Sequence, residues 1–339
     1  TPKMNIKFFL DCSVSMYGYM NRATEFKECF GSLITDFDYH YNGVKPYLIN
    51  YDTVRLREPI EKLLKEFNTK LLKRSVHPMQ RASSEIDSTF EIMFRNTDNH
   101  TVSVFFSDGA FSIHNKESLD FLNTAKSLIK KGLLDKLKEF DMTVVTLKMD
   151  SRFKGNCYYL PKNKKREKGI ELDNYRPYYI WFMAKSNLMN DVLQKINLQK
   201  LNGYVDFIHH SNFSGKPSEY KLLKSTNRLG EFAVDRENKD MLIDIELSDR
   251  PSTKGMFQVA FAANLSDIPV SPSYLTNPTN YELSTSDDFE IRIDTISDVE
   301  LNSNDKTELT DASYTHVITL TTDKQKTKKQ KVDVKLKID

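Results

Sequence analysis

Apolar residues in the first two hundred positions follow two alternating rhythms, which predict short buried strands separated by amphipathic helices. Residues 6–10, Ile-Lys-Phe-Phe-Leu, form a compact apolar run that ends abruptly in Asp11. A run this short and this rich in Phe, Leu and Ile reads as a buried parallel strand. Phe26, Cys29, Phe30, Leu33, Ile34 and Phe37 then recur at helical spacing and predict a helix over about residues 22–39. Further strands are expected at 47–51, 101–106, 142–147 and 178–183. Further helices are expected at 60–72, from Ser83-Ser84-Glu85 onward, at 116–139 and at 188–198. A Ser-Ser-Glu start is what a capped helix N terminus looks like. Strands alternating with helices imply a parallel sheet covered on both faces.

Residues 150–176 break this rhythm with Tyr158, Tyr159, Lys162, Lys164, Lys165, Arg166 and Lys168, and read as a basic hairpin insertion. From about residue 211 helical spacing disappears, and short runs at 231–234, 241–247, 256–262, 289–293, 316–321 and 331–338 lie between Gly, Pro, Asn and Asp. Evenly spaced short strands with turn signals imply an antiparallel, immunoglobulin-like sandwich. The charged run 324–331 reads as a solvated turn between its last two strands. The expected architecture is thus a doubly wound, mostly parallel α/β domain over 1–210, with the insertion at about 150–176, followed by an all-β sandwich over 211–339.

Composition narrows the function classes. The chain has 339 residues, long enough for two domains, and is 39% hydrophobic and 28% charged, as expected of a protein with sizeable cores. A net charge of +2 provides no global field for nucleic acid or an anionic membrane. No apolar run reaches the length of a membrane span. Three cysteines, Cys12, Cys29 and Cys157, make no disulfide framework. The chain opens on Thr-Pro with a strand almost at once, which implies that an upstream segment has been removed. Secretion with signal cleavage fits that start, as does a cytosolic protein shortened at its N terminus; the extracytoplasmic or cell-surface location is the one favoured.

The candidate chemistry sits where the first strand ends. Asp11, Ser13 and Ser15 present only hard oxygen atoms, which suit Mg²⁺, Mn²⁺ or Ca²⁺ rather than zinc or copper. Loops at the carboxyl ends of parallel strands are the usual ligand sites. Asp108 follows a second apolar strand in Phe105-Phe106-Ser107-Asp108-Gly109. The D-x-S-x-S pattern with this later Asp resembles the metal-ion-dependent adhesion site of von Willebrand factor A domains. The resemblance covers about residues 4–200 and implies a Rossmann-like wound sheet with three loops around one ion, most often Mg²⁺. It places Asp11, Ser13 and Ser15 in the first loop and Asp108 in the third. Ser84 stands where the family usually has a Thr opening a helix, with Ser83 and Thr89 as alternatives. Ser13, Ser15 and Ser84 would ligate directly, and Asp11 and Asp108 directly or through water.

With neutral hydroxyls and two carboxylates, such an ion is at most neutralised and still attracts an acidic group. The resemblance therefore implies a non-enzymatic adhesion module whose ion bridges to a Glu or Asp of a protein partner. The alternative is an intracellular scaffold or regulatory subunit that partners an ATPase or a multiprotein complex, with the metal site vestigial. A phosphatase of haloacid-dehalogenase type would use Asp11 as nucleophile, but it wants a second Asp at position 13, which is Ser13. Cys12 has no base placed near it and reads as a small residue filling the turn. His209 and His210 are adjacent on a strand and face opposite ways. Tyr175, Tyr178, Tyr179 and Trp181 beside the basic stretch could stack nucleic acid bases; they read instead as an inner strand, so no nucleic acid partner is expected.

Overall fold

The structure is a computed structural model that describes residues 4–50, 52–74, 86–109, 119–157, 170–211, 219–266, 268, 270–285, 290–309, 314–322 and 333–338. The chain divides into two compact units, Thr1–Phe213 and Ser214–Asp339. In the first, the strands β1 (Asn5–Asp11), β2 (Val44–Ile49), β3 (Thr53–Arg55), β4 (Thr101–Ser107), β5 (Met142–Cys157), β6 (Ile170–Lys185) and β7 (Tyr204–Ser211) form one sheet. Their spatial order is β3-β2-β1-β4-β6-β5-β7.

Side chains of β1 alternate between two cores, as the pleat of a strand requires. Ile6, Phe8 and Leu10 join the cluster built with α1 (Glu25–Tyr41) and, later in the chain, residues Met189, Val192 and Leu193. Phe9 joins the other, with Phe90, Met93 and Phe94. The helices α2 (Ile60–Lys65) and α3 (Thr69–Leu72) replace the single helix expected over 60–72, because Asn68 caps a new start by accepting from Lys70 N. Helices α4 (Ile86–Asn96) and α5 (Leu119–Glu139) supply the second core, and α6 (Ser186–Lys195) the first. Burial of the Cys29 thiol inside α1 pushes its pKa up to about 12, so it is inert packing.

The expected doubly wound, mostly parallel sheet is overturned by the pairing pattern. Among the described residues only β1–β2 and β1–β4 run parallel; β2–β3, β4–β6, β5–β6 and β5–β7 are antiparallel, so the sheet is mixed. The physical reason lies at β5 and β6. A parallel pair needs a crossover of a dozen or more residues, usually helical. Here the two 16-residue strands instead pair from Met142↔Lys185 out to Cys157↔Ile170, as the arms of one long hairpin. Residues 150–157 and 170–176 are therefore continuations of sheet strands. The lysines and tyrosines of 158–168 lie outside the described residues.

The second unit also departs from the expected two-sheet sandwich. Among the described residues it holds one four-stranded antiparallel sheet, in the order β13 (Arg292–Asp298), β14 (His316–Thr322), β11 (Phe257–Ala263), β8 (Tyr220–Leu223). Two separate ribbons pair β9 (Glu231–Val234) with β10 (Leu242–Glu246) and β12 (Tyr281–Thr285) with β15 (Val334–Ile338). Short helices α7 (Pro272–Leu275) and α8 (Ser303–Glu308), capped by Ser271 and Asn302, lie between β11 and β12 and between β13 and β14, where only strands and turns were expected. The charged run 324–331 falls outside the described residues.

Candidate metal centre

Two neighbouring parallel strands deliver the site. β1 and β4 pair in register up to Leu10↔Phe106, so Asp11 and Ser107 follow side by side at the same sheet edge, with Asp108 one residue on. Towards the site both strands are buried on both faces, which is why residues 8–10 and 104–106 are apolar without a break. Beyond them the chain must turn. Ser13 is extended, with φ −62 and ψ 157, and leads into a 3₁₀ turn over Val14–Met20, where Met16 N donates to Ser13 O. Cys12 N and Sγ both donate to Ile49 O, which ties this turn to β2 and gives the cysteine a structural place.

The polar side chains then form a connected set. Ser13 N donates to Asp11 Oδ1 at 2.8 Å, and Ser107 Oγ donates to Asp11 Oδ2 at 2.7 Å. Ser13 Oγ and Ser15 Oγ share a hydrogen bond of 2.9 Å, and Ser15 Oγ donates to Asp108 Oδ1 at 3.1 Å. Asp108 N donates to Met16 Sδ and Gly109 N to Ser107 Oγ. Gly109 has φ 64, a left-handed conformation in which a side chain would be strained. Four of the expected site residues, Asp11, Ser13, Ser15 and Asp108, thus come together from two distant stretches. Ser84 and its alternative Ser83 lie outside the described residues, and Thr89 is buried in the first turns of α4.

The hairpin β5–β6 closes one side of this set. Gly18 packs so tightly on it that a Cβ would overlap the Phe153 ring, and a Cβ on Gly155 would stand 3.0 Å from Gly18 Cα. Tyr19 OH donates to Pro177 O at 2.6 Å, and the Tyr19 and Phe153 rings meet edge to face at 4.9 Å. Arg176 lies with its guanidinium 4.6 Å above the Phe153 ring and Nη2 3.9 Å from Asp108 Oδ2.

The electrostatics follow from burial. Asp11 is 2% and Asp108 6% exposed, so two carboxylates are held almost out of water. Burying carboxylates is costly unless they are hydrogen-bonded and compensated by positive charge. Among the described residues no cluster of three or more His, Cys, Asp or Glu side chains is placed to hold a metal. The donor set is instead two carboxylates joined to hydroxyls, hard oxygens in chemistry that fits Mg²⁺, Mn²⁺ or Ca²⁺. Asp11, Ser13, Ser15 and Asp108 are the residues that would hold such an ion.

Sequence reasoning did not pick out Ser107, Met16 or Arg176. Ser107 had a signal, since it immediately precedes Asp108 at a strand end. Arg176 had none: it lies in a stretch whose other charges read as solvated, and strand register alone brings it to Asp108. No described helix is long and apolar enough to cross a membrane. The chain matches no protein-family model and no curated protein.

Proposed function

We propose that this cluster takes up a divalent cation, Mg²⁺ or Mn²⁺ before Ca²⁺, and that the ion recruits an acidic side chain of a partner protein. The observation that carries the reading is the Ser15 Oγ–Asp108 Oδ1 hydrogen bond of 3.1 Å, which joins the D-x-S-x-S loop to the Asp that follows β4. That contact brings a hydroxyl of the first loop beside the carboxylate after β4, which supports reading the two as ligands of one ion. Two carboxylates neutralise a divalent ion without making the site repel an incoming Glu or Asp, and hydroxyls add donors without adding charge. The chemistry we propose is recognition rather than turnover, with the Ser13 and Ser15 hydroxyls tied to each other and to Asp108 as ligands of an ion.

Mn²⁺ titration followed by electron paramagnetic resonance and water-proton relaxation tests this. The expected result is Mn²⁺ uptake with enhanced relaxation that falls as acetate, the simplest carboxylate probe, replaces bound water. Asp108→Ala would lose both signals. Absence of uptake at millimolar Mn²⁺ removes the proposal.

A second reading is favoured by Arg176. A guanidinium 3.9 Å from Asp108 supplies positive charge without any ion, as in a scaffold or regulatory subunit whose loops bind a partner metal-free. Partner capture that survives chelator and Asp11→Ala would select it.

A further inference from the structure

Arg176 is built into the sheet rather than draped over it. It sits on β6 opposite Ser151, in the row that continues inward as Tyr178, Ile180 and Phe182, all buried. Its side chain is 18% exposed and the Asp108 side chain 0%. The Phe153 ring lies under the guanidinium at 4.6 Å, and Phe153 is itself fixed against Gly18 and Tyr19. Arginine stacks on aromatic faces in this way and keeps its charge at any accessible pH.

The pairing with Asp108 is nevertheless incomplete. At 3.9 Å, Nη2 is beyond hydrogen-bond distance of Oδ2, and the buried Nη1 has no hydrogen-bond partner among the described residues. A guanidinium designed for a structural salt bridge would engage a carboxylate with two short parallel hydrogen bonds. Here it stands off, close enough to neutralise Asp108 through space but leaving the carboxylate oxygen without a strong arginine hydrogen bond.

We infer that Arg176 is a tethered counter-charge that sets the affinity of this site for divalent cations: it compensates Asp108 when no ion is bound and opposes the ion's entry by like-charge repulsion. The inference rests on the metal-binding reading above and adds its regulation. A unit charge about 6 Å from a divalent ion weakens ion binding by about tenfold even with the full dielectric of water between them. Arg176 thereby keeps the site selective for conditions of high ion concentration or for ions delivered together with a partner's carboxylate.

The test is Mn²⁺ and Mg²⁺ affinity of the full chain by calorimetry, for wild type, Arg176→Gln and Arg176→Lys, with thermal unfolding in chelator and in Mg²⁺. The expected result is tightening of about tenfold in Arg176→Gln and affinity near wild type in Arg176→Lys, which keeps the charge. Arg176→Gln should also unfold at lower temperature in chelator and recover with Mg²⁺, because the Arg176 charge beside Asp108 is then gone. Equal affinity in wild type and Arg176→Gln overturns the inference and leaves the metal-binding reading standing. No uptake by any of the three proteins overturns both.

Discussion

Ser107 Oγ donates to Asp11 Oδ2 across 2.7 Å and so joins the ends of two neighbouring parallel strands. A buried hydrogen bond to a charged acceptor is worth about 1.5–3 kcal/mol. Ser107→Ala should therefore destabilise the first unit by about that amount in urea unfolding. It should also weaken Mn²⁺ binding about tenfold, the usual effect of removing a group that orients a ligand. A variant with lost stability but unchanged Mn²⁺ affinity would exclude Asp11 from the ion's shell.

The Gly18–Phe153 contact leaves no space for a side chain. Gly18→Val must push the 3₁₀ turn away from the hairpin, and overpacking of this kind costs about 1–3 kcal/mol. Because Ser13 and Ser15 belong to the same turn, the loss should appear in both unfolding and ion uptake. Denaturation midpoints and a Mn²⁺ titration on one variant check the coupling.

Glu25, in the first turn of α1, is the pH-sensitive tie between helix and hairpin. Burial alone would raise its pKa. Hydrogen bonds from Arg152 N at 2.8 Å and Tyr175 OH at 3.0 Å, with the Arg152 charge, outweigh that and hold it below its ordinary 4.5. A carboxyl lowered on folding contributes stability that is complete above its unfolded pKa and is lost as pH falls through the folded value. Wild type should thus lose stability from about pH 4.5 downward. Glu25→Gln should be less stable at pH 7 and converge on wild type in acid. Parallel unfolding curves for the two proteins at every pH would remove this role.

In the second unit Asp305 gathers the loop after β8. Its carboxylate accepts from Lys224 N, Ser225 N, Thr226 N and Thr226 Oγ1, at 2.6–3.2 Å. Burial would raise its pKa, but the Thr226 and Lys224 hydrogen bonds bring it below the usual value. Asp305→Asn removes the charge and forces an amide N–H among donors, costing at least about 1.5–3 kcal/mol. Hydrogen exchange should report faster exchange at the amides of 224–226, with the amides of β1 and β4 unaffected.

Legibility in the sequence tracked how completely an element is buried. β1 and β4 were readable because both faces are covered and every residue of β4 is buried, so hydrophobicity alone marks them. Their shared register then made Asp11 and Asp108 neighbours. α1 was readable from its stripe, and its described ends differ by only a few residues. β7 was placed only through His209 and His210, without bounds or a partner, because Tyr204–Ser211 is a half-exposed edge strand with no clean alternation. The direction of β5 and β6 was missed because apolar content marks a strand without giving its partner. Only the hairpin link decides that, and the alternation of strands and helices around it pointed the other way. Ser271 and Asn302 each start a short helix in a region whose Pro, Asn and Asp read as turns.

The Ser151↔Arg176 pairing carries one further consequence. Strand side chains alternate faces with a period of two, so a slip by a single residue would present Tyr175 or Pro177 where Arg176 now stands. Lengthening the segment between positions 157 and 170 leaves that phase intact, whereas one residue inserted between positions 176 and 178 reverses it. The ion site's charge balance is thus written as a parity, and an odd insertion on the inner arm of the ribbon would erase it without touching any of the oxygen donors.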